Sequence, residues 1–386
     1  MLPPAIVDEL LAALSPVDEQ RARHYPGDRL TNQPVHTCYV PASQFRPDTV
    51  AHWGTTALTT LREHNIDLAP GIRERVERKL ATQPIEDLRI DFEDGYGAPG
   101  DDTEDADAKN AANALPDTPY VGLRVKSFDT PALTKRSIRT LDIFLSGIAD
   151  HLPPGLLITF PKVTDVRQVD VFATLLERLE TQLGLPARTL AFEIQIETPQ
   201  AIVDSSGRIA LPGFIAAGQG RVRGLHFGTY DYTAGLGLPS ASQHLAHGAC
   251  DFARHLMQVS AAGTGVWCSD GSTNILPLGD ADAVQQGWRT HAALVRRSLD
   301  HGFYQGWDLH PNQLITRYAT VYAFYRNDVE ATSARLTDYL EHRSGTVADE
   351  PATARMLAAF LLRALRCGAV DADELPLRQD LLASLL

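Results

Sequence analysis

Short apolar segments alternate with longer amphipathic segments over most of the chain. The apolar segments have strand-like composition and cover residues 35–40, 87–92, 120–125, 155–160, 189–196, 222–228, 265–268 and 305–310. Helical patterns lie between them, at residues 48–64, 102–115, 131–150, 165–184, 197–204, 241–262 and 280–302. Segments 155–160 and 189–196 show little polar/apolar alternation, which is typical of parallel strands buried on both faces. Eight strands alternating with helices predict an α/β fold, the (β/α)₈ TIM barrel.

The two ends of the chain do not follow this alternation. Residues 5–14 place their apolar side chains on one helical stripe, and a polar stretch follows as far as Pro34. Residues 312–341 and 351–366 are rich in Ala, Leu, Arg and Tyr and predict appended helices. A barrel needs about 250 residues, so a chain of 386 leaves room for both additions. We therefore predict three units, namely an N-terminal helical extension (1–34), a barrel catalytic domain (35–325) and a C-terminal helical extension (326–386).

The composition narrows the classes of partner. A net charge of −13 at pH 7 argues against nucleic acid, because phosphate binding needs a surplus of Lys and Arg, and it argues equally against anionic membranes. No run of about 18 apolar residues is present, and the first residues lack the pattern of a signal peptide. The four cysteines lie far apart without a CxxC pair, which excludes a thiolate zinc cluster. We expect a cytoplasmic protein.

Ionisable residues follow several of the predicted strands directly. In a barrel, functional groups gather where strands end and βα loops begin, so these residues should form a ring at one mouth. The ring comprises Asp91, Glu93 and Asp94 after the second strand, Arg124 after the third, Lys162 after the fourth, Glu197 after the fifth, Asp231 after the sixth and His310 after the eighth.

Glu197 and Asp231 are the strongest candidates for metal ligands. They are separated by 34 residues, about the length of one βα unit, so they should lie on neighbouring strands at the same end. Two carboxylates without a nearby Cys or His suit a hard cation such as Mg²⁺. The alternative is that one or both acids only cap the helices that follow.

The other mouth residues leave alternatives open. Arg124 could bind the carboxylate or enolate of a keto acid with two parallel hydrogen bonds, or it could pair with an acid of the preceding strand. Glu93 and Asp94 could orient metal-bound waters or hold Arg124, or they could belong to a solvated acidic loop. Lys162 could give electrostatic support, face solvent, or act as a Schiff-base lysine in a metal-independent aldolase.

In their order, these motifs resemble the HpcH/HpaI aldolase and citrate lyase β-subunit-like family. The resemblance covers roughly residues 35–325 and rests on several motifs together. They are CYVPAS, DFEDGYG, LRV at 123–125, FPKV at 160–163, IQIETPQAI, HFGTYDYTAGLG and LHPNQL.

The resemblance implies a barrel, usually oligomeric, that makes or breaks carbon–carbon bonds through an enolate. Glu197 and Asp231 match the family's metal ligands, and Arg124 matches the residue that stabilises the keto acid and its enolate. Glu93 and Asp94 match the acidic pair around the metal waters and that arginine. The implied cofactor is Mg²⁺ or Mn²⁺. The implied substrate is a small oxo- or hydroxy-acid, either free or as a CoA ester, and we expect a homo-oligomer.

Two alternatives remain beside this carbon–carbon lyase or aldolase. The same enolate machinery serves a Claisen condensation or thioester hydrolysis, as in malate-synthase-like relatives. A catalytically silent barrel that binds a metabolite is the other alternative. Buried charges at Arg124, Glu197 and Asp231 count against the silent barrel, because such charges are costly unless they are paired.

Overall fold

Eight parallel strands form the centre of the computed structural model, which describes residues 2–29, 31–64, 66–341 and 350–386. The strands are β1 (His36–Pro41), β2 (Asp87–Asp91), β3 (Tyr120–Arg124), β4 (Ile158–Phe160), β5 (Phe192–Ile196), β6 (Val222–Phe227), β7 (Trp267–Ser269) and β8 (Gly306–Asp308). From β1 to β7 each strand pairs with the next in the chain, and β1 also pairs with β8. A parallel bridge between Ser269 and Gln305 joins β7 to the start of β8. The predicted (β/α)₈ barrel is confirmed.

Fourteen α-helices surround or extend this barrel within the described residues. They are α1 (Pro4–His24), α2 (Thr49–Glu63), α3 (Pro70–Thr82), α4 (Asp101–Asn113), α5 (Pro131–Ile148), α6 (Val166–Leu183), α7 (Pro199–Ile202), α8 (Leu211–Ala217), α9 (Thr229–Gly235), α10 (Gly248–Ala261), α11 (Ala281–Asp300), α12 (Pro311–Leu340), α13 (Pro351–Arg366) and α14 (Gln379–Ser384). Short 3₁₀ turns lie at Ala42–Gln44, Ala149–His151, Ser240–Ser242 and Ala372–Glu374. Helix α12 is continuous across residues 325 and 326, so the proposed barrel and C-terminal extension share it.

Several helices were not predicted from the sequence. Helix α3 is highly charged, and only a narrow stripe of Ile72, Val76 and Leu80, one residue per turn, is buried. Helices α8, α9 and α14 have only six or seven residues, too few for a clear helical period. The first helix is longer than predicted. It continues through Pro16 to His24. A proline inside a helix removes one backbone hydrogen bond, but here the residues that follow Pro16 remain helical. None of its residues is buried.

No helix in the described part of the chain is both long enough and apolar enough to cross a membrane.

Apolar side chains fill the layer between the strands and the helices. Phe160 of β4 stacks on Phe172 of α6, with ring centroids 4.3 Å apart, and Phe128 meets both rings edge-on. These rings fix α6 against the barrel, and an Asp165 capping box begins the helix directly after the Pro161-Lys162 strand end. The packing therefore positions the loop that follows β4.

The interior of the barrel contains buried charge. Arg89 of β2 is fully buried, and its guanidinium binds Asp87 on its own strand and Glu193 on β5. Its Nε also donates to Thr159 Oγ1 at 2.9 Å and to Glu193 Oε1 at 3.0 Å. Glu193 in turn lies 3.0 Å from His226 Nε2. The interior ions are paired across strands, as ions in a medium of low polarity must be.

A second buried ion cluster fixes β8 against the outer helices. Asp308 binds Arg317 of α12 through both carboxylate oxygens, with the shortest contact at 2.9 Å. It also contacts His291 Nε2 of α11 at 3.0 Å and His36 Nδ1 of β1 at 2.9 Å. The closing strand is therefore held by ion pairs as well as by three register positions with β1.

Replacing Arg89 by Met should lower the free energy of unfolding by about 3–5 kcal/mol, because Asp87 and Glu193 would remain buried without their partner. The control is Arg296→Met, in which an exposed pair with Asp300 is lost at a cost of about 1 kcal/mol or less. Urea unfolding followed by circular dichroism measures both. Equal stability of the two variants would contradict a structural role for the interior pair.

Candidate active site

The carboxyl ends of β2 to β6 lie side by side in the sheet, and they bring the predicted ionisable residues to one mouth. Asp91 and Arg124 are the last residues of β2 and β3 and are register partners. Lys162 follows β4, Glu197 follows β5 directly, and Asp231 lies in the first turn of α9 after β6. Glu93 and Asp94 lie in the loop that follows β2. Seven of the eight residues predicted from strand ends thus lie at one mouth, and the eighth, His310, lines the cavity beside it.

Arg124 is held by Asp91 in a two-pronged ion pair. Arg124 Nε and Nη2 each donate to a different Asp91 oxygen at 2.6 Å. Asp91 also accepts from the backbone N–H groups of Glu93 and Gly95, both at 2.9 Å. A Cβ at Gly95 would lie 2.8 Å from Asp91 Oδ2, so the turn needs a glycine there. The structure therefore contains the ion pair between Arg124 and an acid of the preceding strand, and this pair fixes the orientation of the guanidinium.

The pairing leaves part of the guanidinium facing the mouth. Arg124 Nη1 lies 3.6 Å from Glu93 Oε2 and 3.9 Å from Asp94 Oδ2, beyond hydrogen-bonding distance. The guanidinium carbon lies 4.9 Å from the centroid of the Tyr39 ring. Although burial favours the neutral form, the Asp91 carboxylate raises the pKa of Arg124 well above its usual value. Arg124 therefore presents a permanent positive charge with unused donors.

Lys162 connects three carboxylates, two from the loop after β2 and one from the first turn of α9. Its Nζ lies 3.0 Å from Glu93 Oε1, 2.9 Å from Asp94 Oδ2 and 3.0 Å from Asp231 Oδ2. Its backbone φ is 52°, in the left-handed region that non-glycine residues rarely adopt. Burial would lower the pKa of the ammonium, but the Glu197 and Glu93 carboxylates outweigh burial and raise it. A Schiff-base lysine needs a lowered pKa, so this environment argues against that alternative.

Glu197 is almost completely buried against the backbone of the neighbouring strand end. Its Oε1 accepts from the Lys162 backbone N–H at 2.8 Å, and its Oε2 accepts from Gln195 Nε2 at 3.2 Å. A Cβ at Gly228 would lie 2.4 Å from Glu197 Cβ and 2.6 Å from Oε2, so only glycine leaves room for this carboxylate. Burial raises the pKa of Glu197 to about 8, and the Lys162 ammonium partly opposes this shift. Burial likewise raises the pKa of Glu93 to about 7.

Neither Glu197 nor Asp231 caps a helix through its side chain. Thr198 provides the cap of α7, with its Oγ1 accepting from Ala201 N–H at 3.1 Å. The N-cap of α9 is Gly228, which has no side chain, and Asp231 is bound to Lys162 instead. The alternative that these two acids only cap the helices that follow them is therefore not what the structure shows.

The donor set at the mouth fits a divalent cation. Carboxylate oxygens from Glu93, Asp94 and Asp231 surround a single ammonium, and Glu197 lies beside it. A positive charge among carboxylates from three strand ends marks the position where a hard cation would be favoured. Gly228 contributes to this donor set, because only a residue without a side chain leaves room for the Glu197 carboxylate.

A second group with metal-ligating side chains lies away from the mouth. His36, Cys38 and Asp308 are buried, with potential ligand atoms within 4.8 Å of one another, the one such group found among the described residues. Both Asp308 oxygens are already bound by Arg317 and two histidines. Burial raises the pKa of the Cys38 thiol well above its usual value, which disfavours the thiolate that binds metals. This group holds β8 in place rather than offering a vacant site.

A cavity of about 430 Å³ opens beside the mouth, between the ends of β1 and β8. Tyr39, which contacts Arg124, forms part of its wall, and Arg46, His52 and His310 contribute polar groups. His310 also caps α12, and burial lowers the pKa of its imidazole. Arg46 and His52 were not predicted as site residues. Arg46 follows the end of β1 by five residues. A search for ionisable residues after each strand end, which identified the other mouth residues, could therefore have found it.

The comparisons with known proteins agree with this fold. The family model described as "Domain of unknown function (DUF6986)" matches residues 14–384. The L-malyl-CoA/beta-methylmalyl-CoA lyase of Cereibacter sphaeroides is 27% identical over 267 residues, 64% of this chain and 74% of the relative. A citrate lyase structure from Burkholderia xenovorans superposes with a TM-score of 0.63 and 18% identity, covering 92% of this chain and 97% of the other.

A malate synthase of Haloferax volcanii, solved with magnesium and glyoxylate, shares the fold at a TM-score of 0.53 and 15% identity, covering 87% of this chain and 92% of the other. The lyases among these proteins confirm the predicted enzyme class, a carbon–carbon lyase. They also support the resemblance to citrate-lyase-like proteins. The matching family model itself carries no functional description.

Asp91→Asn should lower the free energy of unfolding by about 3 kcal/mol or more, because it leaves the Arg124 charge buried without its partner. The matched control is Asp94→Asn, a half-exposed acid of the same loop, for which a loss of about 1 kcal/mol or less is expected. Denaturant titrations of both variants against the unmodified protein give the difference. If the Asp94 change costs as much as the Asp91 change, the two-pronged pair is not what anchors this loop.

Proposed function

We propose that this chain, which belongs to the DUF6986 family, is a metal-dependent lyase that cleaves a carbon–carbon bond in the CoA ester of a small hydroxy acid. The observation that carries the proposal is the arrangement of charge at the mouth. Carboxylates that follow β2 and β6 contact the Lys162 ammonium, Glu197 after β5 lies beside it, and Arg124 is fixed next to them. This is the arrangement that an enolate-forming reaction requires.

Glu197 and Asp231 are the residues that we propose hold the metal, with Glu93 and Asp94 close enough to bind its waters. Mg²⁺ is the preferred ion, because every donor is a hard oxygen, and Mn²⁺ accepts the same ligands. When bound, the ion supplies Lewis acidity to the oxygens of the substrate. The magnesium in the Haloferax malate synthase supports the same choice of ion.

In the proposed cleavage, the β-hydroxyl of the acyl-CoA loses its proton and becomes the carbonyl of the departing oxo-acid. The bond between the α- and β-carbons breaks, and its electron pair passes to the thioester as an enolate, which a proton then converts to the shortened acyl-CoA. Arg124 is positioned for the charge that develops, because Asp91 holds two of its nitrogens while Nη1 faces the mouth. Fixed donors of this kind stabilise an anion without reorganisation.

The cavity beside the mouth supports a CoA ester rather than a free acid. Its volume of about 430 Å³ exceeds the needs of a three- or four-carbon acid, and Arg46 and two histidines line it. Arg46 has no carboxylate partner among the described residues, since its Nη1 donates only to the backbone oxygens of Ser43 and Phe45. It is therefore free to meet a phosphate. The relative from Cereibacter is named for two such CoA esters.

Condensation of an acyl-CoA with an oxo-acid is the reverse of this cleavage and would use the same groups, as the shared fold of the malate synthase suggests. The products distinguish the reactions. Cleavage and simple condensation keep the thioester, whereas a synthase releases free CoA after hydrolysis.

Glu197→Gln and Asp231→Asn should each weaken Mg²⁺ binding at least tenfold and lower kcat/KM for malyl-CoA cleavage roughly a hundredfold, because a carboxylate ligand is lost. Calorimetry gives the affinity, and formation of an oxo-acid and acetyl-CoA gives the rate. The control is Asp117→Asn, an exposed acid away from the mouth. Unchanged Mg²⁺ affinity in both variants would refute these ligands. If the unmodified protein binds Mg²⁺ but cleaves no hydroxyacyl-CoA, the proposed metal site would stand and the proposed substrate class would be wrong.

Lys162→Gln should strengthen Mg²⁺ binding about tenfold, because the ammonium competes with the ion for the same carboxylates. Lys109→Gln, an exposed lysine on α4, is the matched control and should leave the affinity unchanged. Weaker binding in Lys162→Gln would mean that the lysine supports the metal site rather than filling its place. Covalent trapping of a keto acid on Lys162 by borohydride would instead favour the metal-independent aldolase.

A further inference from the structure

A second cavity lies at the opposite end of the barrel, at the amino ends of the strands. Its volume is about 440 Å³, similar to that of the cavity at the mouth. The walls come from the segment that precedes β1, from the start of β7 and from one face of α13. The lyase chemistry proposed above uses none of these elements.

Arginines dominate the charge of this cavity. Arg29, Arg355, Arg363 and Arg366 line it, against the single acid Asp28. Within the described residues none of the four arginines forms an ion pair. Arg29 Nε donates to the Gly265 backbone oxygen at 2.8 Å, and the Arg363 guanidinium lies over the Tyr304 ring at 4.2 Å. A concentration of unpaired positive charge is unusual in a protein whose net charge is −13.

The stability of α13 does not explain this concentration. Arg363 and Arg366 lie in the last turn of the helix, where positive charge is favourable to the helix dipole. Arg355 lies near the first turn, where the dipole disfavours it, and Arg29 is not in a helix at all. Burial, together with the charges of Arg29 and Arg221, lowers the pKa of Arg223 on β6 to about 10.

Aromatic rings form the remainder of the wall. Trp267 at the start of β7 is half-buried and meets Tyr120 edge-on, with ring centroids 5.9 Å apart. Tyr304 and Tyr325 line the side next to α13, and Tyr304 already stacks with one arginine. Flat apolar surface beside several guanidinium groups suits a ligand that has both a flat ring and phosphates.

We infer that this cavity binds a nucleotide, a flat aromatic base that carries at least two phosphate charges. Arg355 and Arg366 would pair with the phosphates, and the base would lie against Trp267 and Tyr304. A volume of about 440 Å³ falls within the range of small-molecule sites. The site is separate from the mouth, and it shares no residue with the lyase site proposed above.

Calorimetric titration of the full chain with ADP, at low salt and without Mg²⁺, tests the inference. The double variant Arg355→Ala/Arg366→Ala should bind ADP at least about tenfold more weakly than the unmodified protein, because charge-assisted hydrogen bonds to phosphate are lost. Arg178→Ala, an exposed arginine of α6 without an ion pair among the described residues, is the matched control and should bind normally. Pyrophosphate should bind more weakly than ADP, and adenosine more weakly still.

Three results would overturn the inference. They are no binding of ADP by the unmodified protein at millimolar concentration, equal binding by the double variant, or loss of binding in Arg46→Ala, which would locate the nucleotide at the mouth. Circular dichroism checks that the double variant is folded. If it is not, the single change Arg355→Ala at an exposed position replaces it, with a severalfold loss of affinity expected.

Discussion

The ion pair between Asp91 and Arg124 joins the ends of two neighbouring strands, and the arrangement of the mouth depends on it. A guanidinium at that depth is stable only with a carboxylate that binds it in two places. The same carboxylate orders the loop that carries Glu93 and Asp94, through two backbone N–H groups. Arg89, two residues earlier on β2, repeats the principle within the barrel by binding Glu193 of β5. The strands are thus tied together by charge where a packed barrel usually relies on aliphatic layers.

The ion pair between Asp91 and Arg124 stabilises a mouth that contains many charged side chains close together. Lys162 adopts a left-handed backbone conformation there, and Glu197 fits only because residue 228 is a glycine. Strained and crowded residues of this kind persist where the surrounding structure overdetermines them, and they are characteristic of functional sites. In the proposed lyase, the carboxylates hold a cation, Arg124 meets the enolate, and the adjoining cavity accepts the rest of the CoA ester.

The fold could be predicted from the sequence because the hydrophobic periodicity of each segment, and the alternation of strands with helices along the chain, are local signals. Buried parallel strands such as 189–196 are continuous apolar runs, and several of the predicted strands were followed by ionisable residues. Eight mouth residues were named on that basis. The structure brings seven of them together, and the eighth, His310, lies in the cavity beside them. Helix α3 was missed because one buried residue per turn is a weak periodic signal. The partner of Arg124 was left open, because register between strands decides which of three nearby acids faces it, and register is a tertiary property. The arginine cavity combines residues more than 300 positions apart, which no local pattern could reveal.

The central claim is that the mouth, and not another acidic or histidine-containing cluster, binds a divalent cation. Anomalous diffraction from crystals grown with Mn²⁺ tests it directly, because the ion is located by its own scattering. The account predicts one strong peak between Glu197 and Asp231, with Lys162 moved away from the carboxylates that it now contacts. A peak at His36, Cys38 and Asp308, or no peak at the mouth at saturating Mn²⁺, would contradict the account.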